Sequence, residues 1–495
     1  MRPDSLLLSA LALAPAAVSQ NVVEFGIHRG LPGVRLPLGS FPHLSPRAAT
    51  YTQELVNNIT GGGYFLDVSV GTPPQPLTML IDTGSSDAWV LSPQADLCTK
   101  ASLQLKYQDS CAGTYNNNKS ETYKLVQKGG FTIRYLDGGV AKGDYISEDF
   151  SIAGTTIKDL QMGYVTQAVR GTGILGIGYS ANVASDEVYP NLIDQFAAQK
   201  LIGVKAYSLY LNDRRSSSGS ILFGGIDADK FTGTLNILPV IKSSIQPNYT
   251  AFEVAFTAMG VKYSNGSSAD INPSFFSSGT VPAILDSGTT LSYFPSQLAG
   301  QVFHQLGAVT DDVETGLTFI DCKYLTQEPD LVFSFTFNGT TIEVPVSELV
   351  LDTLGPYQHL LPSSIPYDRT CMFGIQSTAG FDSSKVKDSS FALLGDTFLR
   401  SAYVVYDLEH NQIGMAQANW NSSQSNIIEL KAGSQGLPTV TGVEKSSTTT
   451  GSGVATVTVT APNAGPQSIR LSGGRDALAV LGITAVFGVL GAVLL

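Results

Sequence analysis

The sequence predicts a mostly β protein made of two similar halves, and three observations lead there. From Tyr64 to Gln417 the apolar residues fall in short runs broken by Gly, Asn, Asp and Pro. Such runs mark strands and tight turns rather than amphipathic helices. Tyr64–Val70, Leu77–Ile81, Phe131–Tyr135, Ala206–Leu211, Ile221–Phe223 and Ala402–Tyr406 read as strands, against few helix candidates such as Ile193–Lys200 and Gln297–Leu306. Second, a short phrase is written twice. Met79-Leu80-Ile81-Asp82-Thr83-Gly84-Ser85-Ser86 is echoed by Ala283-Ile284-Leu285-Asp286-Ser287-Gly288-Thr289-Thr290. Each copy is followed downstream by an apolar–apolar–Gly run, Gly173-Ile174-Leu175-Gly176 and Ala392-Leu393-Leu394-Gly395. Third, charged residues are 14% of the 495, with 50 Gly. That is below the ~25% charge of an average soluble chain, which disfavours coiled coils and charge-rich disorder. The balance of 29 Lys+Arg against 41 Asp+Glu, a formal charge of −12, argues against nucleic-acid binding, which needs clustered cations.

The N-terminus reads as an address. Residues 1–19 carry Arg2, an apolar stretch from Leu6 to Ala17, and small residues Ala17 and Ser19 ahead of Gln20. This is the pattern of a secretory signal peptide, and its apolar core is shorter than the ~20 residues a membrane span needs.

The C-terminus ends in 19 uncharged residues, Ala477 to Leu495. The small triplet Asn463-Ala464-Gly465, the spacer Pro466 to Asp476 and this tail form a GPI-attachment pattern. Asn463 is the expected attachment residue, and residues 464–495 are expected to be removed. A single-pass helix is the lesser alternative, because no basic cluster follows the tail to orient it. Residues 421–463 are rich in Ser, Thr and Gly, and read as a solvated, O-glycosylated stalk. The secretory route accommodates six N-glycosylation sequons, at Asn58, Asn118, Asn248, Asn265, Asn338 and Asn421. It also permits disulfides. Of the three possible connectivities of the four Cys, Cys98–Cys111 with Cys322–Cys371 is the simplest by proximity.

The duplicated turn carries the chemistry. An Asp ending an apolar strand is costly to bury unless its charge is hydrogen-bonded. The Gly two residues on permits a sharp turn and a close approach, and the flanking Ser/Thr hydroxyls and backbone N–H groups supply donors. If the halves pack face to face, Asp82 and Asp286 meet at the seam. Two adjacent carboxylates do not both ionise readily, so the pair retains one proton; the aspartic-protease dyad is the standard example of that behaviour. Such a pair activates water by general base and general acid catalysis, with no metal, no other cofactor and no covalent intermediate.

The stretch from about Gly63 to Ala418 resembles the pepsin-type aspartic proteases. "IDTGSSDAWV" and "ILDSGTTLSYFP" look like the two active-site turns, "GILGIGY" and "LLGDTFLRSAYVVYDLEHNQIGMA" like the strands behind them, and "SGSILFGGID" like the end of the first lobe. The resemblance implies a bilobal pepsin-like fold: two similar six-stranded β-barrel or sheet lobes, at 60–235 and 236–420, with a cleft between them. It implies Asp82 and Asp286 as the catalytic pair. Ser85 and Thr289 become hydroxyl donors to their outer oxygens, Thr83 and Ser287 grip across the interface, and Gly84 and Gly288 complete the turns. Phe131–Tyr135 followed by Leu136-Asp137-Gly138-Gly139 reads as a hairpin by its Asp-Gly signal. By similarity this hairpin is a flap with Tyr135 as its tyrosine, Trp89 as that residue's hydrogen-bond partner, and Leu136 where the family usually has Gly.

Residues 20–47 hold Arg29, Arg35, Arg47, His28 and His43 against Glu24. The family suggests a propeptide whose basic residue occupies the acidic cleft. Signal, stalk and anchor around such a core look most like the yapsin-type surface proteases of fungi. They imply polypeptide substrates, a cell-surface location through the GPI lipid with possible transfer to the cell wall, and a monomer. That subgroup cleaves after basic residues, for which Asp87 and Asp137 are the expected acidic groups near the cleft. No G-x-S-x-G elbow and no H-E-x-x-H motif occur, which disfavours a serine hydrolase or a zinc protease. A catalytically silent, surface-displayed binding or cell-wall module is the non-enzymatic alternative.

Overall fold

The apolar runs fold as strands. Tyr64–Val70 lies within the strand Gly63–Val70, and Leu77–Ile81 within Gln75–Asp82. The two helix candidates appear as Leu192–Ala198 and Ser296–Leu306. Asn191 opens the first in a capping box with Asp194, satisfying the free N–H groups of the first turn. Gly307, at φ 65°, closes the second in the left-handed conformation that glycine accepts without strain. This computed structural model describes residues 22–30 and 62–444, with interruptions at 108, 153, 217, 243–247, 272–274, 277–278, 313–314, 362–363 and 382–390. The expected signal peptide, Asn58, most of the expected propeptide, the chain beyond 444, Asn463 and the apolar tail lie outside the described residues. Among the described residues no helix is long and apolar enough to cross a membrane.

The written repeat is also a structural repeat. In the first half, Gln75–Asp82 runs parallel to Gly173–Gly176, which pairs antiparallel with Ala88–Leu91, which runs parallel to Thr155–Ala168. In the second half, Val281–Leu285 runs parallel to Ala392–Leu394, that strand is antiparallel to Ser292–Phe294, and Ser292–Phe294 is parallel to Ile375–Ser377. The same four-strand order, in the same senses, thus carries Asp82 at the end of one strand and Asp286 just past the end of its counterpart.

The two lobes share a ladder. Thirteen strands form one sheet, which takes in Ala402–Asp407 and Gln412–Ala418 from the second half, while the rest of that half forms sheets of five, four and four strands. One apolar cluster runs through both lobes, from Tyr64, Met79 and Ile81 to Leu285, Phe335 and Phe398. The lobe boundary expected at 235/236 falls inside the strand Phe231–Pro239, which pairs with Gln412–Ala418. The crossing is therefore made by a hydrogen-bonded strand rather than by a linker.

The first part of the stretch expected to be a stalk, residues 421–444, is folded. Ile427–Glu429 pairs with Gly225–Asp227, Thr441 and Val443 bridge to Thr234 and Thr232, and Leu430, Leu437 and Val440 are buried. Lys230 Nζ ties this strap down by donating to the carbonyls of Ser422 (3.0 Å) and Gln424 (2.8 Å). Residues 421–444 are thus part of the folded unit, because their few apolar side chains find a groove beside Phe231 and Leu235.

The stretch Val23–Gly30, expected within the propeptide, is a strand lying between Ser218–Phe223 and Gly63–Val70. Its Arg29 donates to the Arg214 carbonyl and feels the charges of Arg400, Asp396 and Glu348. It does not lie between the two turn aspartates; Arg35 and Arg47 lie outside the described residues. Both disulfides are present, Cys98–Cys111 and Cys322–Cys371, and no described cysteine is free. The five described sequon residues, Asn118, Asn248, Asn265, Asn338 and Asn421, are all exposed.

Candidate active site

Each Asp of the repeat is wrapped by its own turn. The Asp82 carboxylate accepts from Gly84 N (2.8 Å), Ser85 N (3.2 Å) and Ser85 Oγ (2.5 Å). Asp286 accepts from Gly288 N (2.8 Å) and Thr289 Oγ1 (2.6 Å). Thr83 Oγ1 reaches across to donate to the Leu285 carbonyl (2.9 Å), and Ser287 Oγ donates to the Ile81 carbonyl (3.0 Å). The two turns are therefore sewn to each other's strands.

This brings the carboxyls together at the seam. A Cβ on Gly84 would sit 2.5 Å from Asp286 Cγ, and one on Gly288 only 2.4 Å from Asp82 Oδ1. Only glycine at both positions leaves this space open. The two carboxyls are 5% and 6% exposed. Burial first, and then the charge of Asp82, push the Asp286 carboxyl well above the usual carboxylate range. A buried pair in this state carries one proton and one negative charge.

The hairpin of Lys124–Arg134 and Val140–Ile152 carries Tyr135 in its turn, within reach of the charge of Asp82. Gly138 N donates to the Tyr135 carbonyl (3.1 Å) and Tyr135 N to the Gly139 carbonyl (2.9 Å), with Gly138 at φ 86°. Trp89 Nε1 donates to Tyr135 Oη at 2.8 Å. Burial, then the charge of Asp82, raise the Tyr135 phenol well above its ordinary value, so it stays protonated. Leu136 packs on the cluster of Leu291, Tyr293 and Leu393, so the turn reaches across to the second lobe.

The two acids expected to attract a basic substrate are not open to one. Asp87 is fully buried; its carboxylate accepts from Tyr189 Oη (2.6 Å), Ala184 N (2.7 Å) and Tyr145 Oη (3.0 Å). Burial raises its pKa, against those hydrogen bonds. Asp137 accepts from Gly139 N (2.8 Å) and forms an ion pair with Arg170. Both carboxylates are engaged within the protein, because each has a partner the local motif does not reveal.

Other groups escaped the sequence reading. Asp396 is fully buried, feels the charge of Asp286, and is raised well above the carboxylate range, chiefly by burial. Next to it, Arg400 pairs with Glu348, both at most 3% exposed. The position of Asp396, directly after Ala392-Leu393-Leu394-Gly395, was the available signal. Among the described residues the one group of three possible metal ligands is Cys322, Asp352 and Cys371, and its two sulfurs are bonded to each other.

The sequence model of the eukaryotic aspartyl proteases matches residues 63–418. A protein of Arthroderma benhamiae named "Probable aspartic-type endopeptidase OPSB" is 38% identical over 90% of this chain and 87% of its own length. The protein of that name in Aspergillus fumigatus is 36% identical over 77% of this chain and 73% of its own. Barrierpepsin of Saccharomyces cerevisiae is 34% identical over 73% of this chain and 61% of its own. With two Asp-bearing turns locked face to face and a match running through both lobes, the chain belongs to the eukaryotic aspartyl protease family.

Proposed function

We propose that this chain is an aspartic endopeptidase in which Asp82 and Asp286 activate a water molecule between them. The observation that carries the reading is the adjacency of two buried carboxyls, each pressed against the other half's turn glycine. One carboxylate takes a proton from the water as its oxygen attacks the peptide carbonyl. The other donates to the carbonyl oxygen, and the nascent tetrahedral centre collapses by passing a proton to the leaving amine. Ser85 and Thr289 hold the outer oxygens, and Tyr135, kept protonated, closes over the scissile bond and excludes water from it. Hydrolysis of a denatured protein at about pH 4 tests this. It should be abolished by Asp286→Ala, and blocked by a peptide whose scissile bond is replaced by a hydroxyl-bearing tetrahedral carbon. Activity that survives Asp286→Ala refutes the assignment.

The finer reading is a secreted, GPI-anchored enzyme of the cell surface, supported by the terminal sequences and by the exposure of the described sequons. Phospholipase release of the protein from intact cells tests the anchor. A preference for basic P1 residues loses support from Asp87 and Asp137, which the fold keeps occupied, so we expect matched Phe and Lys peptides to be cleaved without a Lys advantage arising from either.

A further inference from the structure

Arg170 follows the strand Thr155–Ala168 and belongs to none of the motifs above. Its side chain is only 19% exposed, and Nη2 donates to Asp137 Oδ2, on a carboxylate that is 10% exposed. The other oxygen of Asp137 closes the hairpin turn through Gly139 N. The same guanidinium lies 5.8 Å from the ring centre of Tyr135, within cation–π reach. Its Nε is buried without an acceptor. The Asp137 carboxylate and the Tyr135 ring are therefore what offset the burial of this charge.

The root of Arg170 is fixed as well. Gly171 N donates to Asp109 Oδ2 at 2.7 Å, and Ala112 N donates to the Gly171 carbonyl at 2.8 Å. Asp109 and Ala112 flank Cys111, which the disulfide ties to Cys98. A Cβ on Gly171 would lie 2.0 Å from the Ser110 carbonyl oxygen, so the approach of the two segments depends on glycine. Within the hairpin, regular pairing is confined to the part next to the tip, Phe131–Arg134 against Val140–Gly143. Lys124–Gly129 are exposed, and the pairing slips register between Gln127 and Phe131.

We infer that Arg170 is a positioning residue for the flap. It ties the Asp137 turn to the disulfide-closed Cys98–Cys111 loop, and so holds Tyr135 at Trp89 above Asp82. The effect on catalysis rests on the endopeptidase reading; the effect on Tyr135 does not.

The chain has two tryptophans, Trp89 and Trp420. Trp420 donates to the Arg400 carbonyl, in a different cluster from Trp89, so Trp420→Phe leaves Trp89 as the sole reporter of the flap. In that background Arg170→Gln and Asp137→Asn should each shift Trp89 emission and lower kcat/KM by about tenfold, mostly in kcat, as misplacement of a positioning group does. The double variant should be no worse than either single, and the charge-swapped Asp137→Arg/Arg170→Asp should recover part of both signals. Should Arg170→Gln fail to fold, Asp137→Asn, at the tip of a hairpin, carries the test. Unchanged emission in the variants overturns the tie whether or not the protein hydrolyses peptides. Absence of hydrolysis in the unaltered protein, with shifted emission in the variants, instead overturns the endopeptidase reading alone.

Discussion

Thr83 and Ser287, 204 residues apart, exchange hydrogen bonds: Thr83 N donates to Ser287 Oγ at 3.2 Å, and Ser287 N donates to Thr83 Oγ1 at 2.9 Å. Each hydroxyl also donates onward to the opposite strand's carbonyl, so neither side chain can be removed without leaving buried backbone groups unpaired. Thr83→Val and Ser287→Ala should each cost about 1–3 kcal/mol in urea unfolding. The double variant should cost less than the sum, since both break one shared arrangement. Additive losses would show that the reciprocity does not couple the lobes.

Gly84 and Gly288 place a different demand on the same seam. A methyl group on either would overlap the other half's carboxyl, so the pair must separate or the turns must shift. Gly84→Ala and Gly288→Ala should lower kcat by about a hundredfold or more, as an ångström-scale displacement of reacting groups does. Far-ultraviolet circular dichroism should stay unchanged, because the strands on either side are held by their own ladders. Retention of kcat in both variants would mean that the carboxyls need not be adjacent.

The raised pKa of Asp286 makes stability depend on pH in a definite direction. Its folded-state value lies above the unfolded value near 3.9, so the folded chain binds a proton that the unfolded chain releases. The associated stability is complete below about pH 4 and is lost as pH rises through the raised value. Asp286→Asn removes this dependence. Its Tm should fall less steeply than that of the unaltered protein between pH 4 and neutrality, and should exceed it at the upper end. In the unaltered protein, hydrolysis should fail over the same rise, as the pair loses its shared proton. Parallel Tm curves for the two proteins would contradict the burial argument.

Asp82 and Asp286 were legible because the signal is short-range and repeated: apolar strand, Asp, hydroxyl, Gly. Their partnership was legible because the repeat makes two such strands equivalent. Asp87 and Asp137 were misread as open charges because their partners are distant and ordinary in type. Tyr145 and Tyr189 lie 58 and 102 residues from Asp87, and Arg170 lies 33 from Asp137. No local pattern marks a tyrosine as an acceptor's donor, or an arginine as turned inward. Residues 421–444 misled for another reason. Composition averages over Leu430, Leu437 and Val440, which are too sparse for a periodic signal yet suffice to fill one groove.

That strap carries a last prediction. Leu430, Leu437 and Val440 are 3%, 8% and 5% exposed, and burying such side chains is worth roughly 1.5–3 kcal/mol each. Ending the chain after Trp420 should therefore cost several kcal/mol relative to ending it after Glu444. His410 adds a pH-dependent share. Its Nδ1 meets Asp407 Oδ2 at 2.8 Å and its Nε2 meets the Ser434 carbonyl at 2.9 Å. A neutral ring has one N–H and cannot donate to both. Burial lowers the imidazole pKa, but the bonds to Asp407 and Ser434 and the Asp407 and Glu409 charges outweigh it, so the net shift is upward. The contribution is thus complete below the unfolded value near 6.5 and is lost as pH rises through the higher folded one. Amide exchange in residues 430–437 should accelerate over that rise, beyond the intrinsic rate, and His410→Gln should abolish the extra acceleration. A strap that exchanges at the intrinsic rate at every pH would place residues 421–444 back in the stalk.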